Sequence, residues 1–257
     1  MWVTDDGIQL SAVLERPDEN RCPLVIFLHG FTSTKDRPHN MACCAAMRSA
    51  GFATLRMDLY GHGESGGTFG KHTLYKWISN TMAAIEYARH LDFVTDIYLS
   101  GHSQGGLTAS IVAGMEPDRI RGLILRAPAF LIPEGSRKGH LLGFDFDPMH
   151  VPDAVEIAPG LMLEGSYVRV AQTIRVEEAM DRFRGPVLMI HGEKDETVPV
   201  EDSVKAAQRY RQCRLEIIPG ESHHFDRNLP RTEEIIREWL LERQREDLPR
   251  EDEGGST

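Results

Sequence analysis

Ser103 stands in a setting that can turn a hydroxyl into a nucleophile. Gly101-His102-Ser103-Gln104-Gly105 spells G-x-S-x-G, after the apolar Ile97-Tyr98-Leu99 and before a helix-compatible run over 104–115. A serine on a sharp strand-to-helix turn projects its hydroxyl above a sheet. Glycines there let neighbouring backbone approach. The following helix aims its free N–H groups at the place where negative charge develops. A serine hydroxyl is a weak nucleophile until a base accepts its proton and a carboxylate orients that base. Such a set attacks carbonyl carbon through a covalent intermediate.

The partners are expected downstream in the order acid, then histidine, each on a loop after a strand. Asp195 is the candidate acid, in His191-Gly192-Glu193-Lys194-Asp195-Glu196-Thr197-Val198-Pro199. The His-Gly-x-x-Asp-x-x-Val-Pro spacing selects it over Glu193 and Glu196, which read as a solvated turn. His223 is the candidate base, in Pro219-Gly220-Glu221-Ser222-His223-His224-Phe225, with His224 as the alternative. Gly-x-x-His-x-Phe spacing counts to His223 from Gly220. Two backbone N–H groups must hold the developing oxyanion. The expected donors are Gln104, after the nucleophile, and Phe31, in the turn after the first buried parallel strand.

The elements that would carry these residues follow from hydrophobic patterning. Residues 8–16 alternate in part, as an antiparallel edge strand does. Pro23-Leu24-Val25-Ile26-Phe27-Leu28 is a continuous apolar run, as in a strand buried on both faces of a parallel sheet. Helix 38–50, strand 52–57, helix 72–91, the strand before Ser103, helix 104–115 and strand 121–127 continue the alternation. That order predicts an α/β fold with a mostly parallel sheet flanked by helices. Residues 128–180 break it with Pro128, Pro133, Pro148, Pro152 and Pro159 and with Phe130, Phe144, Phe146 and Tyr167. They read as an inserted lid with its own short hairpin and helices. The core is then 1–127 and 181–247, with strand 187–192, helix 200–211, strand 215–218 and helix 231–244. The polar, acidic tail 248–257 is expected to be disordered.

Composition narrows the class. At 257 residues and a net charge of -10, the chain repels nucleic acid and anionic membrane surfaces. It has no apolar run long enough to span a bilayer, and its start shows no secretory pattern. The four cysteines lack C-x-x-C spacing and read as reduced thiols of a cytoplasmic protein. No H-E-x-x-H occurs, so neither a metal nor any other cofactor is expected. Gly61-His62-Gly63-Glu64-Ser65-Gly66 spells G-x-G-x-x-G but lies in a polar loop, and reads as a turn buttressing the active-site face rather than a dinucleotide site.

Taken together, His29-Gly30-Phe31, Asp58-x-x-Gly-x-Gly-x-Ser65, Gly101-x-Ser103-x-Gly105, Asp195 and His223 resemble the α/β-hydrolase superfamily over nearly the whole chain. Leu28-His29-Gly30-Phe31-Thr32, the run from Gly101 to Gly106, and the stretches 146–153 and 166–172 are similar to bacterial cinnamoyl or feruloyl esterases. That resemblance implies a serine carboxylesterase acting on small esters, with a lid that closes over the acyl group. It also carries Tyr167 over as a substrate contact. Leu141-Leu142 departs from it, standing where polar residues would hold phenolic hydroxyls. Monoacylglycerol lipase, thioesterase and peptidase chemistry use the same residues, and a catalytically silent binding module is the non-enzymatic alternative. The partner expected is a small-molecule ester; a homodimer is left open.

Overall fold

A computed structural model of the chain describes residues 1–18 and 20–247; the tail 248–257 lies outside the described residues. The first strands are β1 (Trp2–Asp5), β2 (Ile8–Glu15), β3 (Cys22–Leu28), β4 (Ala53–Met57), β5 (Val94–His102) and β6 (Gly122–Arg126). Helices α1 (Pro38–Ser49), α2 (Leu74–Arg89) and α3 (Gln104–Met115) connect them. After β6 come α4 (Leu131–Lys138), the hairpin β7 (His140–Leu141) and β8 (Phe144–Asp145), and the hairpin β9 (Ala154–Ala158) and β10 (Leu161–Glu164). Helices α5 (Ser166–Thr173) and α6 (Val176–Arg182) lead back to β11 (Val187–Gly192), α7 (Val200–Ala207), β12 (Cys213–Ile218) and α8 (Leu229–Asp247).

The main sheet has eight strands in the order β1-β2-β4-β3-β5-β6-β11-β12. From β4 to β12 neighbouring strands run parallel, while β2 pairs antiparallel with both β1 and β4. The patterning did not foretell β1: its four residues are too few for a period, and their place is set by pairing with β2.

The apolar run of β3 lies at the centre, with both faces covered. Leu24, Ile26 and Leu28 join the core under α2, α3 and α6, while Val25 joins the core under α1 and α8. Local signals place the helix starts. Pro38 opens α1, where a missing N–H costs nothing, and the Thr73 side chain caps α2 by accepting from the Lys76 amide.

The stretch 128–180 adds no strand to the main sheet. It carries the two hairpins and helices α4 and α5, and position 180 falls inside α6. Helix α6 packs on α3, with Gly114 against Ala179, and so acts as the crossover between the parallel neighbours β6 and β11.

Close packing sets the height of the serine turn above the sheet. A Cβ at Gly105 would overlap the carbonyl oxygens of Leu28 and His29, and one at Gly101 would overlap the Gly105 carbonyl. Helix α3 thus starts in backbone contact with the end of β3. Replacing Gly105 by alanine must push the two apart, so Gly105→Ala is expected to cost about 1–3 kcal/mol, read as a lowered urea midpoint.

Candidate active site

Ser103 sits between β5 and α3 with φ 54° and ψ −120°, a conformation that an L-residue keeps only when its surroundings impose it. Its N–H donates to the Arg126 carbonyl at 2.9 Å, and its own carbonyl accepts from the amides of Gly106, Leu107 and Ala129. The residue is 8% exposed.

Asp195 follows β11 and His223 follows β12, so parallel pairing of those strands brings both to the same end of the sheet. His223 Nδ1 donates to Asp195 Oδ2 at 2.7 Å. The other carboxylate oxygen accepts from the Thr197 and Val198 amides, both at 2.8 Å. Burial works against ionised Asp195, yet hydrogen bonds from His191 and His223, with the Val198 amide, outweigh it and hold the carboxyl well below its usual range. His224, the sequence alternative, is exposed, and among the described residues no hydrogen bond joins its ring to a carboxylate.

The His223 loop is fastened at two points. His102, the residue before Ser103, donates from Nε2 to the His223 carbonyl at 2.8 Å, with the two rings 4.8 Å apart. Glu221 is fully buried and accepts from the amides of Ser222, Arg227 and Asn228. No hydrogen bond joins the Ser103 hydroxyl to the imidazole among the described contacts. Such contacts are often long before substrate binds.

Phe31 lies in the turn after β3, closed by the Ser33 amide on the Gly30 carbonyl. Among the described residues, neither the Phe31 nor the Gln104 N–H is committed to a carbonyl of the loops and turns. The Phe31 ring packs on Phe69, His72 and Tyr167. Tyr167 is fully buried, and its hydroxyl donates to Gln104 Oε1 at 2.7 Å. The residue carried over as a substrate contact therefore ties α5 to the start of α3, with its hydroxyl proton committed to Gln104.

Sequence reading passed over His191, whose Nε2 lies 3.1 Å from Asp195 Oδ2 and 3.0 Å from the Val198 carbonyl. Both are acceptors, so Nε2 carries the proton and Nδ1 accepts from the Ser203 hydroxyl at 2.7 Å. The signal was available in His191-Gly192, which closes a buried strand directly before the acid loop. Among the described residues no disulfide joins the cysteines, and no group of three or more His, Cys, Asp or Glu could hold a metal.

The parallel sheet, the serine turn at the end of β5 and the acid and histidine after later strands define an α/β-hydrolase. The chain matches the family model described as serine aminopeptidase, S33, over residues 19–147, and it belongs to that family. Among solved structures it is similar to Est1E from Butyrivibrio proteoclasticus with ferulic acid bound: 47% identity, TM-score 0.94, covering 95% of this chain and 99% of that one. It is 23% identical over 257 residues to the lysophosphatidylserine lipase ABHD12 of Danio rerio, covering 88% of this chain, and 34% identical over 107 residues to caffeoylshikimate esterase of Arabidopsis thaliana, covering 39% of this chain and 32% of the relative. The chain spans 60% of the length of the ABHD12 relative. Among the described residues no helix is long and apolar enough to cross a membrane.

Three imidazoles lie behind the Phe31 turn. His29, His62 and His72 pack around Trp77, and His29 Nε2 accepts the Leu59 amide at 3.0 Å. Burial, with the neighbouring His62, lowers His29 and His72 from 6.5 to about 3, and burial lowers His62 as well. Between about 3 and about 6.5 the unfolded chain binds protons that the folded chain refuses, so stability rises with pH across that window. It is present in full above the unfolded value and is lost as pH falls toward 3. The urea midpoint is expected to drop markedly from pH 7 to pH 4.5, and His72→Phe should flatten that drop. An equal midpoint at the two pH values would contradict this assignment.

Proposed function

We propose that this protein is a serine carboxylesterase that hydrolyses small esters through an acyl-enzyme. Ser103 is the nucleophile, His223 the general base and acid, and Asp195 the carboxylate that orients the imidazole and stabilises its cation. The observation that carries the reading is the Asp195–His223 hydrogen bond on a loop fastened to the serine turn. With Nδ1 donating to Asp195, the His223 Nε2 lone pair is the one left for a hydroxyl proton.

The steps follow from that tautomer. Ser103 Oγ attacks the ester carbonyl carbon while Nε2 takes its proton. The carbonyl oxygen becomes an oxyanion held by the Phe31 and Gln104 amides, aided by the N-terminus of α3. Collapse breaks the bond to the alcohol oxygen, which leaves with the proton from His223. Water then attacks the acyl-enzyme, giving its proton to His223. A second collapse frees the acid and returns the proton to Ser103.

Residues 128–180 serve in this reading as a lid over the acyl group, with 1–127 and 181–247 as the catalytic core. The two hairpins and α5 pack around a small apolar cavity lined by Leu141, Phe144, Phe146, Ile157, Leu163 and Val168. The likeness to a protein solved with ferulic acid favours an aromatic, feruloyl-type acid. Leu141 and Leu142 offer no side-chain hydrogen bond to a phenolic hydroxyl, which ferulate and caffeate esters both carry. Reduced cysteines fit a cytoplasmic location: Cys44 is buried, which pushes its thiol up to about 12 and keeps it inert.

Ser103→Ala is expected to lower turnover of p-nitrophenyl butyrate by about 10⁴–10⁶ and to abolish fluorophosphonate labelling. His223→Ala should match it in turnover, while His224→Ala stays within a few-fold of wild type. Full activity of Ser103→Ala would overturn the mechanism. In a panel of methyl ferulate, methyl caffeate, short alkyl esters and monoacylglycerol, methyl ferulate should show the highest kcat/KM. A preference for monoacylglycerol would replace the substrate class and leave the chemistry standing.

A further inference from the structure

Lys35 is an unusual residue to find behind a catalytic turn. Its side chain is 4% exposed, and its ammonium donates to Asp58 Oδ2 at 3.0 Å and to Glu64 Oε2 at 2.8 Å, with Asp36 Oδ2 also at 2.8 Å. Its backbone N–H donates to the second Asp58 oxygen at 2.7 Å. One carboxylate thus grips both the main chain and the side chain of the same residue.

Asp58 is itself immobilised. Its side chain is 1% exposed, and Oδ2 also accepts the Glu64 amide at 3.0 Å. Gly63, at φ 53°, leaves the space the carboxylate fills, because a Cβ there would overlap it. The Asp58 carbonyl accepts from the Ser65 hydroxyl at 2.6 Å, and that oxygen in turn accepts the Ser11 amide from β2 at 2.8 Å. The Gly66 amide donates to the Gln9 carbonyl at 2.8 Å. The loop from Asp58 to Gly66 is therefore anchored on the sheet, and the turn that carries Phe31 is anchored on that loop.

A buried ion pair is a poor source of net stability, since removing two charges from water offsets much of their attraction. What it supplies is geometry. The turn is closed locally by the Ser33 amide on the Gly30 carbonyl and by Asn40 Nδ2 on the Thr34 carbonyl, while Thr32 sits at φ 57° and Phe31 is only partly buried; Lys35 ties its far end to the loop after β4. An oxyanion donor acts only when its N–H points at the place the charge will occupy.

We propose that Lys35 is a positioning residue of the oxyanion hole, holding the Phe31 amide in place through its grip on Asp58 and Glu64. The proposal rests on the serine-esterase reading, in which that amide is a donor. The ammonium locks the far end of the turn four residues on, as His29 locks the near end by accepting the Leu59 amide. Both locks end on the chain that follows β4, so the Phe31 turn is held as a strap between two points of one loop.

The test compares p-nitrophenyl butyrate with its thiono analogue, in which sulfur replaces the carbonyl oxygen. An aligned hole favours oxygen strongly, and a misaligned one discriminates less. A loss of folded enzyme lowers both rates together and leaves their ratio alone. Rates are normalised to the active fraction titrated by a phosphonate. Lys35→Met is expected to lower kcat for the oxygen ester by about 10–100-fold, to change KM by less than about threefold, and to shrink the oxygen-to-sulfur ratio by about tenfold. Lys35→Arg should recover much of that ratio. If Lys35→Met does not fold, Lys35→Gln, which keeps an N–H donor and loses the charge, carries the same comparison. A ratio equal to wild type in a folded charge-deleting variant overturns the proposal. Wild-type protein inactive on the oxygen ester would instead sink the esterase reading itself.

Discussion

The backbone of Ser103 is the constraint on which the remaining geometry depends. A non-glycine residue at φ 54° costs of the order of 1–3 kcal/mol, and it persists because its neighbours leave no alternative. Its amide is held by β6, its carbonyl by three amides of α3 and the following segment, and the glycines on either side are in backbone contact. Each of these contacts draws on a different element. The sheet order, the start of α3 and the return from β6 must all be right before one hydroxyl is raised above β5. The parallel order then brings the Asp195 and His223 loops to that same end.

Charge is handled differently on the two sides of the serine. On the acid side, Asp195 stays ionised against burial because two imidazoles and two amides converge on it. Behind Phe31, the imidazoles of His29, His62 and His72 stay neutral because they are buried among rings. The same side-chain type thus hydrogen-bonds a buried carboxylate at one wall and is a packing unit with a polar edge at the other. The surroundings decide which.

Much of this was legible in the sequence. The apolar runs of β3, β5 and β11 mark strands buried on both faces, and the motifs at their ends are contiguous in sequence. Asp195 and His223 could be named because each closes a loop of fixed spacing. What was not legible depends on distant partners. Lys35, in the polar run Thr34-Lys35-Asp36, reads as a solvated lysine; its burial is created by Asp58 and Glu64. Glu221 reads as a surface residue next to Ser222, yet it organises the base loop from within. Tyr167 could be placed through family resemblance, but the destination of its hydroxyl could not, since Gln104 belongs to another element.

The Tyr167–Gln104 hydrogen bond has a bearing on modularity. Segments inserted between two strands of a common core invite exchange, as if specificity could be transplanted like a tool head. Here the segment that would be exchanged reaches down and holds a residue of the elbow helix. A chimaera that accepts a foreign segment inherits the other parent's choice at this position or loses the brace. The segment and the elbow helix are therefore joined by a side-chain pair, and exchanging one alone leaves Gln104 or its new neighbour without that partner.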